Sequence, residues 1–516
     1  MPIGHTPMKR PFPVTVSVAL LAVGVLGGCA SIKPMPLEPT LLLEQGAADR
    51  AAATRLATPV EGAMTLEMAM ARALKYNLDR RAKMMEEALA FKQLDVSHLD
   101  MLPRLLAQAG YSWRNNDKIS LSRNSQTGLL SQSQFVSQDR EHETASLLLT
   151  WNMLDLGLGY YNTRQQADRV LIAGERRRKA MHLLMQDVRT AFWRAYSAQK
   201  LHGEVRVATG MAEEALADAR RAETERLRNP LDSLRYQRQV LENLRLLEAI
   251  DQELSTAQLE LAALINAPLG QPLDLVAPQE SVDRDALSVP VEVMEEAAMT
   301  ANADLREQHY NARIAREETR KTLVRLFPNL IFNYGYSYDT DSYLLNNNWR
   351  EASVQLSFNL FNLFTGPTQM KLAEAGVALA DQRRIAMQMA VMAQVHLARQ
   401  QYSNAVNQFG RADAIWDTDR RIAAHMKNRE AAQTQSKLDS VANQTTAILS
   451  LLRRFQALAL AQAAEAKLQS TLGVEPQIGS VDEISLDDLT RTLSQRGAVW
   501  GELSQLRPAT QIEVSR

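Results

Sequence analysis

The 516 residues carry a formal net charge of −1, are 46% hydrophobic but only 6% aromatic, and include a single cysteine. The charge balance offers no basic field for nucleic acid, and one cysteine excludes an intramolecular disulfide. A chain rich in Ala, Leu, Gln and Arg suits long helices on narrow Ala/Leu seams better than the about three compact domains its length alone suggests.

Residues 1–28 read as an export signal. Lys9 and Arg10 supply the positive start, and Val14 to Leu26 form an apolar core too short to span a bilayer comfortably. The core ends in Leu26-Gly27-Gly28-Cys29, which resembles the lipobox of bacterial lipoproteins. That resemblance implies that Cys29 becomes a lipidated N-terminus, and that Ala30 in place of Asp directs it to the outer membrane. A buried, inert cysteine is the alternative. Residues 29–63, with Pro34, Pro36, Pro39 and Pro59, read as a tether.

Two copies of one unit follow, over 64–270 and 291–475. Met64 to Asp100 reads as helix with Leu66, Ala69, Ala73 and Leu74 on one stripe, stopped by Pro103. Asn77-Leu78-Asp79 recurs as Asn302-Ala303-Asp304. A strand is expected at 104–113 and again at 329–338, after prolines spaced by 328 − 103 = 225. Its alternation sets Leu105, Ala107, Ala109, Tyr111 and Trp113 on one face, and Gln108 and Ser112 on the other. In the second copy Leu330, Phe332, Tyr334, Tyr336 and Tyr338 oppose Asn333 and Ser337. An alternating segment of this length with aromatics at one end is the pattern of a lipid-facing barrel strand, or of an ordinary half-buried one.

Second strands are expected at 145–153 and 352–360, spaced by 352 − 145 = 207. Leu149, Trp151, Phe332 and Phe358 are the lipid-facing candidates, with Gln108, Thr150, Asn333 and Asn359 on the polar face. The Ser/Gln/Asn-rich stretch Arg114 to Thr144 reads as a solvated loop. After each second strand a glycine-containing turn is expected, at Asp155 to Gly157 and at Asn362 to Gly366, and then a very long helix. Met181, Leu184, Val188, Ala191, Ala195 and Ala198 follow the 3-4 spacing of a coiled-coil seam. Gly174, Gly203 and Gly210 threaten its continuity. Leu231-Asp232-Ser233 recurs as Leu438-Asp439-Ser440, again at 207. Residues 271–290 form a proline-bearing linker, and 476–516 a tail with one possible helix through Leu486, Leu489 and Leu493.

Catalytic chemistry finds little support. The eight histidines are scattered outside any metal-binding spacing. Gly157-Leu158-Gly159 lacks the third glycine and the Lys-Ser/Thr of a phosphate loop. Met84, Met85, Met387, Met389 and Met392 fit core filling better than a copper site. The expectation is a non-enzyme without metal or cofactor.

This doubled order is similar to the TolC-like outer-membrane factors of efflux and secretion systems. It runs helix, Pro, strand ending GYS, loop, strand ending WNMLDLG or FNLFNLF, coiled-coil helix, LDS, closing helix. The resemblance covers about residues 64–475, and the lipobox places it nearer the lipidated branch. It implies a mainly α homotrimeric tube with a transmembrane β-barrel of twelve strands, lipid-anchored in the bacterial outer membrane and extending into the periplasm. The implied role is a passive exit duct for small molecules, working with a periplasmic adaptor and an inner-membrane pump. A type I protein secretion duct is the alternative within the family, and a periplasmic coiled-coil scaffold lipoprotein the alternative outside it. The family also implies a periplasmic gate at Asp439, linked through position 435, here Gln435, to Asp232. Adaptor contacts would lie at Arg226, Pro230, Gln433 and Thr434, where the family's tip glycines are missing.

Overall fold

The computed structural model describes residues 35–55, 57–60, 62–225, 229–276, 280–432, 437–474, 481–494, 500, 501 and 503. The chain divides into two units after Ala57. The first unit contributes α1 (Pro39–Thr54), which starts with proline at a position whose amide needs no partner.

The second unit begins with α2 (Leu66–Tyr76) and α3 (Leu78–Leu99), then β1 (Arg104–Trp113), β2 (Ile119–Arg123), β3 (Leu130–Val136) and β4 (Glu141–Asn152). Next come α4 (Met153–Thr224), α5 (Pro230–Leu264) and the short α6 (Asp285–Ser288). The second repeat supplies α7 (Val291–Ala301), α8 (Ala303–Arg325), β5 (Asn329–Asp339), β6 (Asn348–Ser357), α9 (Asn362–Ala431) and α10 (Lys437–Leu472). The tail adds α11 (Leu486–Ser494). The long helices α4 and α9 hold 72 and 70 residues, and at 1.5 Å per residue each reaches about 100 Å.

The recurring asparagines explain how each repeat is knotted together. Asn77 and Asn302 break the helical run with extended backbone, and their side-chain oxygens cap the next helix at the amides of Arg80 and Leu305, both at 3.0 Å. Their amide nitrogens donate to the last turns of the closing helices, to Leu264 O at 3.1 Å and Thr471 O at 2.8 Å. Those closing helices end on Asn266 and Gly473, which share a left-handed backbone with φ of 50° and 70° and the same 207 spacing.

The main core lies at mid-length of the helices. Val188, Phe192, Ala195 and Leu201 of α4 meet the Leu66, Ala69, Ala73 and Leu74 stripe of α2, and Leu247 and Leu261 of α5. The tail completes it: Leu489 and Leu493 of α11 are fully buried in this cluster, each contributing about 1.5–3 kcal/mol. Trp500 fills the second cluster against Val395 and Tyr402 of α9, its indole N–H donating to Glu465 at 3.0 Å. Between the repeats, α4 is tied to α8 by ion pairs. Arg176–Glu307 spans 2.7 Å, Lys179–Asp304 2.8 Å, and Arg313 Nε donates to Asp168 at 2.8 Å.

Several sequence expectations are corrected. Met64 to Asp100 is two helices broken at Asn77. No turn precedes α4: Asn152 caps the amides of Leu154 and Asp155 at 2.9 and 3.2 Å, so Gly157 and Gly159 lie inside the helix. Gly159 serves close approach instead, since a Cβ there would sit 3.0 Å from Met101. Gly174, Gly203 and Gly210 leave α4 unbroken. The loop after β1 contains the β2–β3 hairpin.

Substituting Gly473→Ala adds a Cβ that overlaps the Ala301 carbonyl in a left-handed conformation. It should lower stability by about 1–3 kcal/mol in a denaturant titration followed by circular dichroism. Asn266→Gly, at the matching site, should cost far less. Equal effects would mean that the Gly473 contact is not constraining.

Candidate functional site: the sheet wall and the helix tip

Four strands form one antiparallel sheet in the order β1-β4-β5-β6, so among the described residues β1 and β6 have no strand on their outer edges. The register settles which side chains share a face, because directly opposed residues project to the same side. Leu105 opposes Leu149, Leu149 opposes Tyr334, Trp151 opposes Phe332, and Phe332 opposes Val354. The other face sets Arg104, Thr150, Asn333 and Ser353 in one row. There Thr150 Oγ1 donates to Asn333 Oδ1 at 3.0 Å, and Asn333 Nδ2 to Ser353 Oγ at 3.4 Å.

Exposure runs opposite to what water would select. Leu149, Trp151 and Phe332, on the apolar face, are 40%, 42% and 39% exposed, while Thr150 and Asn333 opposite them are half-buried. Aromatic and aliphatic residues thus form a contiguous uncovered surface. It continues below the sheet, where Leu102, Phe327, Phe361 and Phe364 are exposed at the junction with the helices.

Two candidates fall outside the strands. β6 ends at Ser357, short of the expected 360, so Phe358 lies in the link to α9. Asn359 accepts from the Phe361 amide at 3.1 Å and turns the chain into that helix. β4 begins at Glu141 rather than 145.

At the end of the sheet away from the helices the two inter-strand loops are joined. His142 Nδ1 meets Asp339 Oδ1 at 2.9 Å, the Asp139 amide donates to Asp341 Oδ1 at 3.1 Å, and Ser342 Oγ donates to Asp139 at 2.9 Å. Sequence reasoning missed this clasp, since its members lie at strand ends and in loops 197 to 203 residues apart with no shared motif.

At the opposite end, Pro230 opens α5 and Asn229 caps it through the Leu231 amide at 2.9 Å. Asp232 is the third residue of α5, exposed, with Arg235 at 4.0 Å. Asp439 is likewise the third residue of α10. Cys29, Arg226, Gln433, Thr434 and Gln435 lie outside the described residues. Among the described residues no group of His, Cys, Asp and Glu is arranged to hold a metal, and no helix is long and apolar enough to cross a membrane.

No family model and no curated relative matches the chain. Solved structures do. The Campylobacter jejuni CmeC outer membrane channel superposes with a TM-score of 0.61 at 12% identity, covering 83% of this chain and 89% of that one. CusC, a protein that forms a transmembrane channel, gives 0.59 at 14%, covering 79% and 92%. The open state of the Neisseria gonorrhoeae MtrE outer membrane channel gives 0.56 at 14%, covering 79% and 88%. The chain therefore has the fold of the TolC-like outer-membrane channels, a mainly α architecture of long helices joined to a small antiparallel sheet.

Proposed function

We propose that this protein is the outer-membrane channel of a tripartite efflux system, a passive exit duct and not an enzyme. The observation that carries the proposal is the sheet: on its central strands β4 and β5 the apolar face is the more exposed one, and among the described residues both sheet edges are unpaired. Lipid is the medium in which such a face is stable, and in lipid an open edge is not tolerated. Four strands cannot close on themselves around a pore, whereas three copies supply twelve. The homotrimer follows, with the row of Thr150, Asn333 and Ser353 facing the lumen. The likeness to outer membrane channels supports the same reading. A periplasmic adaptor and an inner-membrane pump would supply substrate and energy.

Purified protein in planar bilayers should give discrete conductance steps. Leu149→Arg should cost about 2–4 kcal/mol at the lipid face and prevent membrane assembly, while Asn333→Arg should assemble and alter conductance. Silent bilayers, or tolerance of Leu149→Arg with loss of Asn333→Arg, would reject the duct or reverse its wall.

We also propose that Cys29 is lipidated and anchors the chain in the outer membrane. Radiolabelled palmitate should enter the wild type and not Cys29→Ser, which should still assemble because the strands do the spanning. Equal labelling of both proteins would remove the anchor.

For the tip we propose that three Asp439 carboxylates ring the periplasmic entrance, with Asp232 beside them and Gln435 too neutral to restrain them strongly. The solvated carboxylate at a helix N-terminus is the competing reading. Asp439→Asn should weaken cation selectivity and divalent-ion block in bilayer recordings. Unchanged selectivity and block would leave Asp439 a helix-terminal carboxylate only.

A further inference from the structure

We propose that β6 of one copy pairs with β1 of the next in a register already written inside the chain, closed by an ion pair between Glu351 and Arg114 of the next copy. The proposal rests on the trimeric channel reading and adds to it which residues meet.

The two hairpins of the chain are built alike. Arg104 opposes Thr150 in the first, and Asn329 opposes Ser357 in the second. These pairs are related by the same 225 and 207 offsets that relate the repeats. Their common seam, β4 against β5, joins the second strand of one repeat to the first strand of the following repeat. Across it Ser146 opposes Ser337, and Thr144 opposes Asp339. A head-to-tail neighbour would present that same relation at the open edges, with β6 as the second strand and β1 as the first. Moving each residue by its own offset sets Ser353 opposite Ser112 of the next copy, and Glu351 opposite Arg114 of the next copy.

Three features of the chain agree with this register. First, the faces match: Ala352 and Val354 come to oppose Trp113 and Tyr111, so apolar meets aromatic, while serine meets serine on the polar side. A slip by one residue would reverse every side chain along the seam. Second, a slip by two preserves the faces but sets Glu351 opposite Ser112 or Asn116, and the charge match disappears. Third, Glu351 and Arg114 are both exposed, and among the described residues neither has an ion-pair partner in its own chain. The Arg114 amide already donates to Arg140 O at 2.9 Å, which carries the ladder one residue beyond β1 and holds Arg114 in line.

Paired cysteines read the register directly, because directly opposed strand residues lie within disulfide reach and diagonal ones about 7–8 Å apart fall beyond it. The full-length protein carrying Ser112→Cys with Ser353→Cys should form reducible inter-copy dimers and trimers in membranes. Gly110→Cys or Arg114→Cys, each combined with Ser353→Cys, should not. Preferential cross-linking of either displaced pair would overturn the register while leaving neighbour pairing intact. A monomer by native mass measurement and by amine cross-linking would instead sink the trimeric reading beneath it. Glu351→Arg should lower the temperature at which the trimer dissociates in detergent, and adding Arg114→Glu should restore it. Additive losses in the double variant would refute the ion pair.

Discussion

Everything in this molecule depends on the unsatisfied hydrogen-bonding rows at the two edges of a four-stranded sheet. In water an open edge is a hazard, and in hydrocarbon each unpaired amide or carbonyl costs several kcal/mol. The sheet nevertheless turns its apolar face outward, with Leu149, Trp151 and Phe332 uncovered. A sheet with that face and those edges fits the closed wall of three copies proposed above. The long helices are joined to that sheet directly, because β4 and β6 continue through tight turns capped by Asn152 and Asn359 into α4 and α9.

The chain binds its own two repeats differently from the way it would meet a neighbour. Within the chain, α4 and α8 are latched by Asp168–Arg313, Arg176–Glu307 and Lys179–Asp304. The repeat offsets carry those positions to Ala375 and Ala88, Arg383 and Ala82, and Ala386 and Asp79 on the outer flanks of α9 and α3. None of these reproduces an opposite-charge pair. The outer flanks instead expose Leu372, Leu379 and Met389 on α9, and Met85 and Leu89 on α3. A head-to-tail neighbour in the helical region would thus meet apolar side chains, while the seam inside each copy is ionic.

The alternating strands were legible because β4 and β5 have two unlike faces, a period of two being plain where both faces are constrained, and β1 and β6 repeat the pattern at fixed offsets. The coiled-coil seam was equally plain, since Val188, Ala195 and Ala198 had to be small and apolar to let helices approach. Glycine misled: Gly157 and Gly159 looked like a turn, but contact with Val324 and Met101 is what their missing side chains permit. The β2–β3 hairpin was hidden by serine and glutamine, whose polarity reads as loop whatever the backbone does. The tail's role was illegible for another reason. Lys75 bonds the carbonyl of Ile484, and Arg80 pairs with Asp482, across separations no local pattern can signal.

The order in which these parts can form follows from the pairing of β4 with β5. Thr144 must find Asp339, with the whole of α4, α5 and the linker between them. The helical hairpins α4–α5 and α9–α10 join neighbours in sequence and can fold quickly, whereas that strand seam is non-local and slow. Until that seam closes, the strands carry tyrosine, phenylalanine and tryptophan uncovered. Such an intermediate is aggregation-prone at high concentration. The distance in sequence between β4 and β5, and not only the strength of the finished wall, thus bears on how the chain reaches its fold.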